Sequence, residues 1–184
     1  AVANIDVVSA ISYQPVSFSG RMDRADVAER RYTLGDLAHD IADGSGASPL
    51  RDMFPLSIVA GLSRMLSAMT GEPKITPTCH PDCAMGTYFF VSPEGEAYPF
   101  PQVVDVEGMF AEMNALAARI ERRGGPGRLD KFRVLRLFKR YFRPDSAPPG
   151  LNLRKFIRSV EGLVDKAVGR GEGEKSTYKT LLCA

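Results

Sequence analysis

The stretch TYFFVSPEGEAYPFP, residues 87 to 101, restricts the fold more than any other part of the chain. Two runs rich in aromatic and β-branched residues flank SPEGE, a turn signal built from Pro, Gly and polar residues. That pattern predicts a β-hairpin with residues 92 to 96 as its connection. A sheet must therefore exist, and other segments must cover it.

The covering segments are helical by their spacing. From Asp105 onward Val106, Phe110, Met113, Ala117 and Ile120 keep one helix face apolar until RRGGPG breaks the pattern at 122 to 127. Three further helices are expected near 128 to 142, 151 to 168 and from 175 onward, with GRGEGEK at 169 to 175 as a linker.

The front half is mixed. Residues 4 to 18, NIDVVSAISYQPVSF, read as a strand or strand pair with an irregular bend at Pro15. Ser19, Gly20 and Arg21 turn the chain into a charged stretch, MDRADVAERR. In YTLGDLAHDIADGSG, Thr33 lies three residues before Asp36, and Leu37 and Ile41 are apolar four apart, so a short capped helix ending at Gly44 is expected. PLSIVAGLSRMLSAMTG starts on Pro55 and carries Leu56, Val59, Leu62, Leu66 and Met69 at helical spacing, which predicts a buried helix that stops at Gly71.

At 184 residues the chain has room for one domain with a real core, or for a domain with a helical appendage. A net charge of +2 gives no global field toward nucleic acid, and no nucleic-acid partner is expected. No apolar run reaches the roughly 20 residues needed to cross a bilayer, and the start shows no signal-peptide pattern, so a cytoplasmic setting is expected. The chain opens without Met and stops within an apolar run, STYKTLLCA, which reads as a piece of a longer protein. Phosphate-binding Gly loops, Ser nucleophile elbows and His-rich zinc-protease motifs do not occur.

Chemistry is concentrated in TCHPDCAMGTYFFV, residues 78 to 91. Cys79 and Cys83 are separated by three residues, one of them Pro81, which disfavours a helix and leaves a loop able to turn both sulfurs inward. Thiolates suit iron–sulfur clusters, zinc or a single iron ion, and such sites take about four ligands, so two cysteines and His80 do not complete one. A pair of reduced structural thiols beside a hairpin explains the local sequence equally well. The third cysteine, Cys183, lies in an apolar run and reads first as a core residue. His39 has no partner identifiable from the sequence and is assigned no function.

RLDKFRVLRLFKRYFR, residues 128 to 143, reads as a basic amphipathic helix. Arg133, Arg136, Lys139, Arg140 and Arg143 fall on one side and Val134, Leu135, Leu137, Phe138, Tyr141 and Phe142 largely on the other. A solvated basic face over a packed core is the ordinary meaning, with attachment to an anionic surface as the alternative.

Taken together, QPVSFSGR at 14 to 21, ERRYTLGDL at 29 to 37, MFPLS at 53 to 57 and the cysteine loop resemble a radical-SAM iron–sulfur protein group that includes archaeal tetraether lipid synthase. The resemblance implies an α/β fold: the end of a partial (β/α) radical-SAM barrel, then a β-hairpin with a metal loop, then a helical C-terminal part. The corresponding boundaries are 1–75 for the barrel end and following helices, 76–104 for the cysteine loop and hairpin, and 105–184 for a truncated helical region.

It also implies Cys79 and Cys83 as partial ligands of an auxiliary iron–sulfur cluster or mononuclear iron, with Gln14, Ser17 and Arg21 near a cofactor-binding barrel mouth. S-adenosylmethionine would bind in the full-length protein, whose missing N-terminal barrel and C-terminal tail would be the partners of this piece. The activity implied is radical attack on unreactive C–H bonds, with a lipid chain as substrate and membrane association as its corollary. The motif that holds the initiating cluster needs a third cysteine three positions after Cys83, where Gly86 stands, so this piece is not expected to be active alone. The readings from another class are an interaction domain with unmetallated thiols, or a small zinc-stabilised module.

Overall fold

A computed structural model describes residues 10–15, 18, 20–76, 80, 83–92, 94–159 and 179–183. Its centre is the expected hairpin: β3 (Met85–Val91) pairs antiparallel with β4 (Ala97–Pro99), with Phe89 opposite Pro99 and Val91 opposite Ala97. Two shorter strands, β1 (Ala10–Ile11) and β2 (Phe54–Pro55), and a fifth, β5 (Lys179–Cys183), complete the sheet in the order β1-β5-β3-β2, with β4 also on β3.

The position of β5 corrects the sequence reading, which expected a helix from residue 175 onward. Lys179–Cys183 instead runs antiparallel to β3, Thr87 opposite Cys183 and Val91 opposite Lys179, and parallel to β1, Ala10 opposite Leu182. KTLLC is too short to show a helical period, and a strand here satisfies the facing backbone edges of two neighbours together. The linker expected at 169–175 and most of the expected strand at 4–18 lie outside the described residues.

Both faces of β3 are covered, which explains why TYFFV is continuously apolar and aromatic rather than alternating. Phe89 and Val91 pack with Ile11, Ala47 and Ala97 on one side. Phe90 and the half-buried Tyr88 face the main core on the other.

That core is built mainly by helices. The expected helix after Asp105 is α5 (Val106–Arg123), and all five residues of its predicted face are buried; here α1 is Arg24–Arg30, α2 Leu34–Ser45, α3 Ala60–Thr70 and α4 Phe100–Val103. The Asp105 carboxylate caps α5 by accepting from the Gly108 N–H at 3.1 Å. Helix α6 (Asp130–Tyr141) and a helical stretch at residues 153–159 close the far side. Phe156, fully buried in that stretch, has its ring centroid 5.1 Å from Phe142, 6.0 Å from Phe138 and 6.1 Å from both Phe90 and Phe100. Sheet and helices therefore share one aromatic centre.

One helix goes beyond the sequence reading, and two local expectations change. The charged stretch after Met22 is helical as α1, capped by Asp23, yet it buries no side chain, so no apolar period marks it. Helix α2 does carry the Thr33–Asp36 capping box, but it continues through Gly44 to a left-handed Gly46 at φ 72°, a conformation that suits glycine. The segment from Pro55 is not one buried helix: β2 passes into a 3₁₀ turn at Leu56–Val59 and then into α3, of which only Gly61 and Met65 are buried. Gly61 is the contact point of α3 with α5, since a Cβ there would stand 2.9 Å from the Asn114 side chain and 3.0 Å from the Phe110 carbonyl oxygen.

Candidate functional site

Strand direction decides which loops meet. β1 and β5 are parallel and end together, Ile11 opposite Cys183, while β3 runs the other way and begins at that same end, Thr87 opposite Cys183. Beyond this end of the sheet lie Gln14, three residues after Ile11, and Cys83, four residues before Thr87. The backbone therefore carries Gln14 and Cys83 out at one end.

The cysteine loop is fixed on its C-terminal side. The Cys83 N–H donates to the His80 carbonyl at 2.8 Å, closing a tight turn. One residue on, the Ala84 carbonyl accepts from the Leu56 N–H at 3.1 Å, continuing the β2–β3 pairing of Pro55 with Met85. Cys83 is exposed and forms no disulfide, so its sulfur is sterically available as a ligand. Cys79 and Ser17 lie outside the described residues. Gln14 and Arg21 are both exposed, and among the described residues no hydrogen bond or ion pair joins either of them to Cys83. No group of three or more His, Cys, Asp or Glu able to hold a metal occurs among the described residues, so Cys83 is the placed member of the expected ligand pair.

A buried carboxylate sets the position of β2 and, through it, of the loop. Asp52 is fully buried and accepts from the Ser48 N–H at 2.9 Å, from Arg51 at 2.7 and 2.8 Å, and from Gln102 Nε2 at 2.9 Å. Burial alone would raise its pKa, but the hydrogen bonds from Arg51, Gln102 and Ser48 outweigh that and hold the carboxyl below its ordinary range. The loop before β2 is thus tied to α4, while the other end of β2 grips Ala84. On β3, burial pushes the Tyr88 phenol up, keeping it neutral.

Sequence reasoning found the cysteine loop and the hairpin but missed this support. The isolated Asp in RDMFPLS, an acidic residue entering an apolar run, is the signal that would have pointed to Asp52; its partner Gln102 is 50 residues away and leaves no local trace.

No family model matches the chain. It is similar to the 7,8-dihydro-6-hydroxymethylpterin dimethyltransferase of Methanocaldococcus jannaschii, with 32% identity over 164 residues, 85% of this chain. The chain spans 31% of the length of that relative. The match is to a protein named for a pterin and not for a lipid, so the expected kinship with tetraether lipid synthase in particular gains nothing from it; the similarity supports a radical-SAM relationship for the chain.

Proposed function

We propose that the chain is part of a radical-SAM protein that transfers methyl groups to unreactive carbon, and that the loop of Cys79 and Cys83 holds part of an auxiliary iron centre. The observation that carries the reading is the 32% identity to a pterin dimethyltransferase across 85% of the chain. The substrate class that follows is a flat, partly reduced heterocycle like the one in the relative's name, in place of the lipid chain expected from the sequence.

S-adenosylmethionine and its iron–sulfur cluster supply the radical chemistry when bound in the full-length protein. Within this chain, the thiolates of Cys79 and Cys83 bind iron, with the remaining ligands drawn from elsewhere in the protein. The donor chemistry fits, because Cys83 is an exposed, unbridged thiol in a turn anchored by the His80 and Ala84 carbonyls. Gln14, Ser17 and Arg21 are assigned to cofactor binding, and for Gln14 the β1–β5 register supports a place at the same sheet end as Cys83.

The test is iron, sulfide and zinc per chain in the full-length protein purified without oxygen, beside Cys79→Ala and Cys83→Ala. Iron and sulfide beyond the initiating cluster that fall in both variants support the reading. Zinc without iron identifies a zinc-stabilised module, and metal content unchanged by either substitution leaves a structural thiol pair in an interaction domain. Cys183→Ala belongs in the same series, because the β5 register brings its backbone to this end of the sheet.

A further inference from the structure

Helix α6 does not face the way its sequence suggests. Leu137 and Phe138 are buried, but Leu135 is on the outside, 49% exposed, in line with Phe132 at 68% and Leu129 at 61%. These three are spaced i, i+3 and i+6, so they form one apolar ridge along the outward side of the helix.

Exposed cations lie among them. At about 100° per residue, Arg136 and Lys139 share the outward arc with Phe132, and the exposed Arg128 lies in the turn two residues before the helix starts. None of the three has an acidic partner among the described residues. The one acid of α6, Asp130, is buried and already met by Arg123 and Arg133, and Arg140 is taken by Glu112 at 3.3 Å. The outward face is thus apolar and positive, with no negative charge of its own.

We propose that this face of α6 rests on an anionic phospholipid bilayer, Phe132, Leu129 and Leu135 entering the headgroup boundary and Arg128, Arg136 and Lys139 meeting lipid phosphates. Charge argues against a second copy of the chain, which would bring the same uncompensated cations opposite these. Nucleic acid would use the cations but gains nothing from two exposed leucines. An acidic peptide helix wants a groove, and the outer side of a single helix is a ridge. A ridge of this composition is what an interfacial helix offers a membrane surface. No helix among the described residues is long and apolar enough to cross a membrane, so contact would be with the surface. The proposal is independent of the radical-SAM reading.

The experiment is co-sedimentation of the full chain with phosphatidylcholine vesicles, neutral or containing about one third phosphatidylglycerol, across a salt series. Binding is expected on the anionic vesicles only, weakening as salt rises. Arg136→Glu with Lys139→Glu should lower it by at least about fivefold per cation changed. Phe132→Ser with Leu135→Ser should lower it by about tenfold or more. Leu50→Ser, at a side chain 91% exposed outside α6, should leave it unchanged. All substituted side chains are exposed, and circular dichroism would show that each variant keeps its fold. Absence of binding, equal binding to neutral vesicles, indifference to both double variants, or binding to an acidic peptide or RNA with none to vesicles would overturn the proposal.

Discussion

Asp130 shows what one residue holds together at the start of α6. It is fully buried, accepts from the Gly127 N–H at 2.7 Å and from Arg133 at 2.7 Å, and is ion-paired with Arg123, so the RRGGPG break and both helices beside it meet on one carboxylate. The Gly127 N–H, then Arg133 and Arg123, hold its pKa far below the ordinary carboxylate range despite burial. Asp130→Asn should cost about 1–3 kcal/mol in urea unfolding, since it removes charged hydrogen bonds whose partners regain water only in part. Because the folded pKa lies below the unfolded one, near 3.9, the stabilisation is complete at neutral pH and is lost as pH falls below about 4. The wild type should therefore lose more stability between about pH 5 and pH 2 than Asp130→Asn does, and matching acid slopes would refute this role. At this scale the sequence shows what is local: the Thr33–Asp36 capping box spans four residues and was readable, whereas Asp52 and Gln102, 50 residues apart, were not.

Among the elements, β5 and α3 make opposite demands. β5 lies between β1 and β3, so a proline within it removes ladder hydrogen bonds with no solvent edge to turn to; Leu181→Pro should destabilise by about 3 kcal/mol or more, read as a lowered melting temperature. At the α3–α5 contact the limit is space. Gly61→Ala sets a methyl 3.0 Å from the Phe110 carbonyl and should cost about 1–3 kcal/mol, against the usual gain from Gly to Ala in a helix; a stabilised variant would show that α3 can slide. Elements with their own period were legible, above all α5, whose predicted face is the buried one. β5 was misread because five residues carry no period and its identity comes from partners about 90 and 170 residues away. α6 was half legible: Leu and Arg alternate so closely that the composition announces amphipathicity while the side that packs is set by Leu137 and Phe138 meeting the core.

For the molecule as a whole, Phe156 is the common neighbour. Its ring meets Phe90 of the sheet, Phe100 of α4, Phe138 of α6 and Phe142, so Phe156→Ala should cost about 3–5 kcal/mol. A single denaturant transition should remain, because sheet and helices share this core; separate transitions by tyrosine absorbance and far-UV circular dichroism would contradict it. A mixed α/β class was legible because hairpin and helix signals coexist, but the order of strands was not, since it depends on the chain returning from residue 179 to residues 10 and 91. That return has a consequence in time. β3 ends at Val91 and its neighbour β5 starts at Lys179, 88 residues later by subtraction. At the ~5–20 residues per second of synthesis, about 4–18 seconds pass before the strand that pairs with β3 exists. For that interval β4 and β2 can pair along one edge of β3, while the backbone N–H and C=O groups of the edge that β5 will take are open to everything around the ribosome.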